Sequence, residues 1–122
     1  MNINIIIDNC EVIKKEIERT VNPVNITDVQ DKLNNLASLT GLSAETLKDC
    51  KGLVLYKQKE VINIEGNKLN PSILKLKIEG ELWNELSVLT YCERLNAALT
   101  HCMDGLRTII SLYKTEMSNN LK

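Results

Sequence analysis

The stretch "ERLNAALTHCMDGLRTIISLYKTEM", Glu93 to Met117, holds most of the residue types that could do chemistry. It contains the chain's only histidine, His101. Between Leu95 and Tyr113 the single acid is Asp104 and the single base is Arg107. Thr100, Asp104, Arg107, Ser111 and Lys114 recur in steps of four and three, with His101, Thr108 and Thr115 beside them. That spacing assigns them to one helix face, opposite an apolar seam. A solvated face normally carries Lys and Glu, as "KQKE" does earlier in the chain. Thr, Ser, Ala and Gly stand here instead, which suits a face that something binds or packs against. Gly105 costs about 1 kcal/mol in a helix interior relative to Ala, so a close approach by a ligand or a backbone would explain it. The competing and commoner explanation is a second helix–helix contact.

Two chemistries fit these residues. Arg107 presents a guanidinium fork that matches phosphate oxygens, and Lys114, two turns on, adds a second positive point. Asp104, three residues before Arg107, can pair with it. His101 could act as a base or a ligand oriented by Asp104, but a structural histidine is the commoner role. There is no second histidine, and a catalytic zinc site usually takes three protein ligands. Cys50 and Cys92 occupy core-like positions and Cys102 points elsewhere, so no Cys–His pair is evident. Glu79, Glu81 and Glu85 form a charge cluster on one helix, and Gly52, Gly66 and Gly80 are isolated, so no phosphate-cradling loop exists. The reading is of a non-enzymatic binder with no cofactor and no metal. Its candidate ligand-binding residues are Thr100, His101, Asp104, Arg107, Thr108, Ser111 and Lys114.

Composition narrows the partners. The net charge is −1, which argues against strongly electrostatic nucleic-acid binding. One Trp, three Tyr and no Phe leave little for a single-strand stacking platform. No segment approaches the roughly 20 apolar residues of a membrane span. The N-terminus has no basic region before its short apolar run, and the four cysteines form no C-x-x-C pair. The expectation is a cytoplasmic protein with free thiols.

The elements that position these residues are read as all-α, in a single domain over residues 1–122. Helices are predicted over about 3–19, 28–40, 44–64 and 73–117. The first could also be read as a short strand because β-branched residues cluster in "INIII". Pro23 breaks the chain after it. Thr27 with Gln30 makes a capping box for the second, Gly41 ends it, and Ser43 caps the third after a tight corner at "TGLS". "EGNKLNPS" is the next break, with Ser72 as the following cap. The last helix carries a heptad seam: Ile78, Leu82, Glu85, Leu89, Cys92, Asn96, Leu99, Met103, Leu106, Ile110, Tyr113 and Met117. So long a stripe asks for more partner surface than three shorter helices supply. A homo-oligomer, a helical bundle or hairpin with the last helix at its centre, is therefore expected. The alternative is a monomeric hairpin in which the third helix covers the fourth.

The last helix, with "LASLTGLSAETLKDCKGLVLYKQKEV" before it, resembles small helical proteins of unknown function carried by phages and prophages. Their pattern R-L-N-x-A-x-T-H-x-x-D-x-x-R-T-x-x-S-x-x-K-x-E is met by Arg94, Leu95, Asn96, Ala98, Thr100, His101, Asp104, Arg107, Thr108, Ser111, Lys114 and Glu116. The likeness covers roughly Leu36 to Met117. It implies a phage setting and the cytoplasm of an infected bacterium, and no activity. In that setting a small anionic ligand, such as a signalling nucleotide held between subunits, would make the protein a sponge for a host defence signal. The alternative is an accessory of phage DNA replication or recombination that binds single-stranded DNA or a partner protein.

Overall fold

The computed structural model describes residues 2–120. Four helices follow in order: α1 (Ile3–Glu18), α2 (Ile26–Glu65), α3 (Pro71–Glu81) and α4 (Trp83–Asn120). No strand occurs among the described residues, so "INIII" is helical. The fold is all-α, with a long last helix. Among the described residues, no helix is long and apolar enough to cross a membrane.

The helix boundaries depart from the sequence reading in two places. Residues 28–40 and 44–64 belong to one helix of 40 residues, with no corner at "TGLS". Gly41 has no positive φ, and nothing lies within 4 Å of where its Cβ would be. A glycine can end a helix, but here the apolar stripe runs straight through and packing outweighs the local cost. Ser43 is therefore not a cap. It is buried and its hydroxyl bonds the Asn96 Oδ1 at 3.0 Å. The second departure is at Leu82, where 73–117 divides. Leu82 leaves helical geometry (φ −101°, ψ 18°) and is 3% exposed, so its burial accompanies a short break between α3 and α4.

The caps also fall earlier than expected. Asn25, not Thr27, caps α2 by accepting from the Asp28 N–H at 3.2 Å. Asn70, not Ser72, caps α3 by accepting from the Ile73 N–H at 3.0 Å, with Pro71 in the first turn. Asparagine accepts these orphan donors as well as serine or threonine does.

The core explains the architecture. α2 and α4 form an antiparallel hairpin about 60 Å long. The seam of α4 faces α2, with Cys92, Leu99, Met103 and Leu106 all buried. Its two polar positions have partners on α2: Asn96 meets Ser43, and Glu85 accepts from Lys57 Nζ at 2.6 Å. Both pairs tie the same register. A 40-residue α2 thus supplies the cover that three short helices could not, and the seam no longer requires a second subunit.

α1 lies across one half of this hairpin. Its Ile6 and Cys10 join Cys50, Cys92 and Leu95, while Ile17 packs against the cluster of Val29, Leu36, Leu99, Met103 and Leu106. α1 is therefore antiparallel to α2 and parallel to α4. Its C-terminus is held by Lys32, only 6% exposed, whose ammonium donates to the carbonyls of Ile17 (2.8 Å) and Arg19 (2.5 Å). The other half of the hairpin has a smaller core of Val54, Val61 and Leu82, backed by Leu74, Ile78, Leu86 and Leu89.

Candidate functional site

All seven candidate residues are exposed on α4, but they do not share one face. At roughly 3.6 residues per turn, Arg107, Ser111 and Lys114 sit on the shoulder of the buried seam, not opposite it. His101 and Thr108 fall on the outer side. The reason is that two long helices leave a furrow beside their contact line, and the residues flanking the seam line that furrow.

Arg107, Ser111 and Lys114 meet α2 there. With Gln30 and Asn34 they surround a groove of about 600 Å³ whose apolar floor includes Leu33 and Ile110. The Arg107 guanidinium also donates to Asp104 Oδ1 at 3.2 Å, an exposed pair on one helix. Lys114 takes part in no ion pair among the described residues, which leaves its ammonium available to a ligand. Gln30 and Asn34 were missed in the sequence. Their spacing of four, flanking Leu33, places them on one face of α2, but only the antiparallel pairing with α4 shows that this face meets Arg107.

The remaining candidates are occupied locally. The Thr100 hydroxyl donates to the Asn96 carbonyl at 3.2 Å, and the Thr108 hydroxyl to the Asp104 carbonyl at 3.0 Å. Such bonds to the preceding turn are ordinary for threonine within a helix. His101 is exposed and lines none of the described cavities. Gly105 has nothing within 4 Å of an added Cβ, so no close approach within the subunit explains it.

A second groove, about 550 Å³, lies between α1 and α2 beside Lys15, Glu16, Glu18 and Arg19. Here Arg19 is already committed to Glu16 at 3.0 Å and reaches Asp28 at 3.6 Å. Burial pushes the Glu16 carboxyl upward, but hydrogen bonds from Arg19 and Asn35 and the nearby Lys32 charge outweigh it and hold the group below its usual value. This groove carries both signs, with its arginine neutralised. The α2–α4 groove is the better seat for an anion.

The cysteines make a third constellation. Cys10, Cys50 and Cys92 come from three helices into one buried layer, with Cys10 Sγ and Cys92 Sγ 3.4 Å apart. Burial pushes all three thiols up, Cys92 furthest. Protonated thiols are neither nucleophiles nor metal ligands. No group of three or more His, Cys, Asp or Glu among the described residues is arranged to hold a metal ion. The layer was hard to foresee because its members are far apart in the chain and form no motif.

The chain matches no protein-family model, no curated protein and no solved structure.

Proposed function

We propose that the protein is a non-enzymatic, homo-oligomeric binder of a small phosphate-bearing anion, seated in the groove between α2 and α4. Arg107 and Lys114 supply charge, while Ser111, Gln30 and Asn34 supply hydrogen bonds. The observation that carries this reading is that five polar side chains, two of them cationic, converge across one furrow above an apolar floor. Charge-assisted bonds of this kind are about twice as strong as neutral ones. The floor of Leu33 and Ile110 suits the flat face of a nucleobase. The resemblance to phage proteins extends the reading to a sponge for a host signalling nucleotide, acting in the bacterial cytoplasm. The exposed Tyr56 and Trp83 are the features that would serve the alternative, single-stranded DNA binding.

Native mass spectrometry of protein purified from bacteria is the first test, since it reports the assembly and any carried small molecule together. Titration with ATP, cyclic AMP and cyclic di-AMP by calorimetry follows, at low salt because the groove is open to solvent and screened. Lys114→Ala and Arg107→Ala should each weaken the nucleotide that binds by about tenfold, the worth of one charge-assisted contact. Binding unchanged in both variants, or none by any nucleotide at low salt, overturns the site. A salt-dependent shift of labelled oligonucleotide would move the reading to DNA.

A further inference from the structure

Three of the four cysteines meet in one layer although they lie far apart in the chain. Cys10 comes from α1, Cys50 from α2 and Cys92 from α4, and Ile6 and Leu95 complete the layer. The Cys10 and Cys92 thiols are 3.4 Å apart, in hydrogen-bond contact across the seat of α1. A single cysteine in a core usually serves as a small apolar side chain. Here two sulfurs face each other between separate helices. Closing from 3.4 Å to the roughly 2.05 Å of a disulfide asks for about 1.4 Å, shared between two side chains.

The bond would fasten the element most able to leave. α1 has 16 residues and buries only Ile6, Cys10 and Ile13. Lys32 holds its C-terminus, and the Tyr91 hydroxyl donates to Glu11 Oε1 at 3.3 Å on the exposed side. α2 and α4, by contrast, share buried clusters that run from Val29 and Leu106 to Val61 and Leu82. A short helix with few buried anchors opens at a lower free-energy cost than the hairpin beneath it. When α1 lifts, Cys10 leaves the core, and Cys50 and Cys92 lose their cover.

We infer that Cys10 and Cys92 form a reversible disulfide that locks α1 onto the hairpin, while the reduced pair leaves α1 free to open. The oxidant is a low-molecular-weight disulfide, RSSR, of the glutathione type. In the open form the Cys10 thiol gives its proton to water, and the thiolate attacks one sulfur of RSSR. The S–S bond of RSSR breaks and RS⁻ leaves. Cys10 is 1% exposed in the closed fold, so the mixed disulfide does not fit back into the layer, and Cys92 stays wet and able to ionise. The Cys92 thiolate then attacks the Cys10 sulfur, a second RS⁻ leaves, and α1 closes over the new bond. Two protein thiols are oxidised and one RSSR is reduced to two RSH. Cys50 is the competing partner for Cys92, but that bond would join two helices already paired and leave α1 unlocked.

The lock does not rest on the anion groove, and its test uses no nucleotide. The full chain is incubated with glutathione disulfide at about pH 8 without denaturant, alkylated and digested. A peptide linking Cys10 to Cys92 should appear at a rate independent of protein concentration. The bond joins residues 82 apart in the chain, so it should raise Tm by about 10 °C. It should also slow amide exchange in α1 by at least about tenfold, and dithiothreitol should reverse both effects. Cys50→Ala should form the same bond. Cys10→Ala should form none, and the oxidant should leave its α1 exchange unchanged. No Cys10–Cys92 peptide in the unmodified chain, Cys92 linked chiefly to Cys50, or a Cys10–Cys92 bond that leaves Tm and α1 exchange unmoved overturns the assignment.

Discussion

Replacing Lys32 with methionine should cost the fold about 2 kcal/mol. The residue is 6% exposed and its ammonium donates to two carbonyls, Ile17 and Arg19, at the end of α1. That end has few other partners. Arg19 is extended (φ −62°, ψ 121°), and the chain does not turn into a left-handed cap that would satisfy the last carbonyls. Lysine therefore closes α1 from a neighbouring helix, and its charge complements the negative end of the helix dipole, a term of about 0.3–1 kcal/mol and up to about 2 when partly buried. Hydrogen bonds to a charged group contribute roughly 1.5–3 kcal/mol each. The two do not simply add, because methionine also removes the cost of desolvating an ammonium, and water can reach the Arg19 carbonyl once the ammonium is gone. Methionine keeps the buried stem, so the loss reports on the charge alone; Lys32→Ala should cost about 1 kcal/mol more through lost methylenes. In urea unfolding, Lys32→Met should lower the midpoint with an unchanged slope. Helicity in α1 should fray first, seen as faster amide exchange from Ile13 to Arg19. If Lys32→Met lies within about 0.5 kcal/mol of the parent protein, the capping role is wrong.

Three further outcomes follow from the same geometry. Gly41→Ala and Gly105→Ala should each stabilise by about 0.5–1 kcal/mol in thermal unfolding, since both glycines sit inside helices with open space at the Cβ; destabilisation at Gly105 would reveal a close partner on that face. Acid should weaken the fold through Glu16 and Glu85. Lys57 holds Glu85 below its usual value against burial, and Arg19 and Asn35 overcome burial to do the same for Glu16. Unfolded chains therefore take up protons first, so stability is full above about pH 4.3 and falls as the pH drops toward the folded values; Glu85→Gln should shrink that slope, and an unchanged slope would remove Glu85 from the account. A thiol reagent at pH 8 should label the half-buried Cys102 quickly and Cys10, Cys50 and Cys92 only at the rate of opening, as counted by mass spectrometry.

The heptad seam was legible because a period of 3.5 over eleven steps has only one physical meaning, a long helix face against another helix. What covers the seam was legible only in part: residues 44–64 are the alternative cover that the sequence offers, but that 28–40 join them in one helix is not. Gly41 and Ser43 carry the local signature of a helix end and a helix start. They fail as such because Leu36, Ser43, Thr46 and Cys50 continue one buried stripe through the glycine. Local propensity at one residue is worth about 1 kcal/mol, and the buried stripe outweighs it. A corner there would halve α2 and leave the seam of α4 short of cover, whereas the continuous helix supplies it. The candidate site was half legible for a related cause. Spacing placed Arg107, Ser111 and Lys114 on one helix, but whether that stripe is the back of a helix or the edge of a contact depends on which neighbour lies beside it. Gln30 and Asn34 answer that question, and they are far away in sequence.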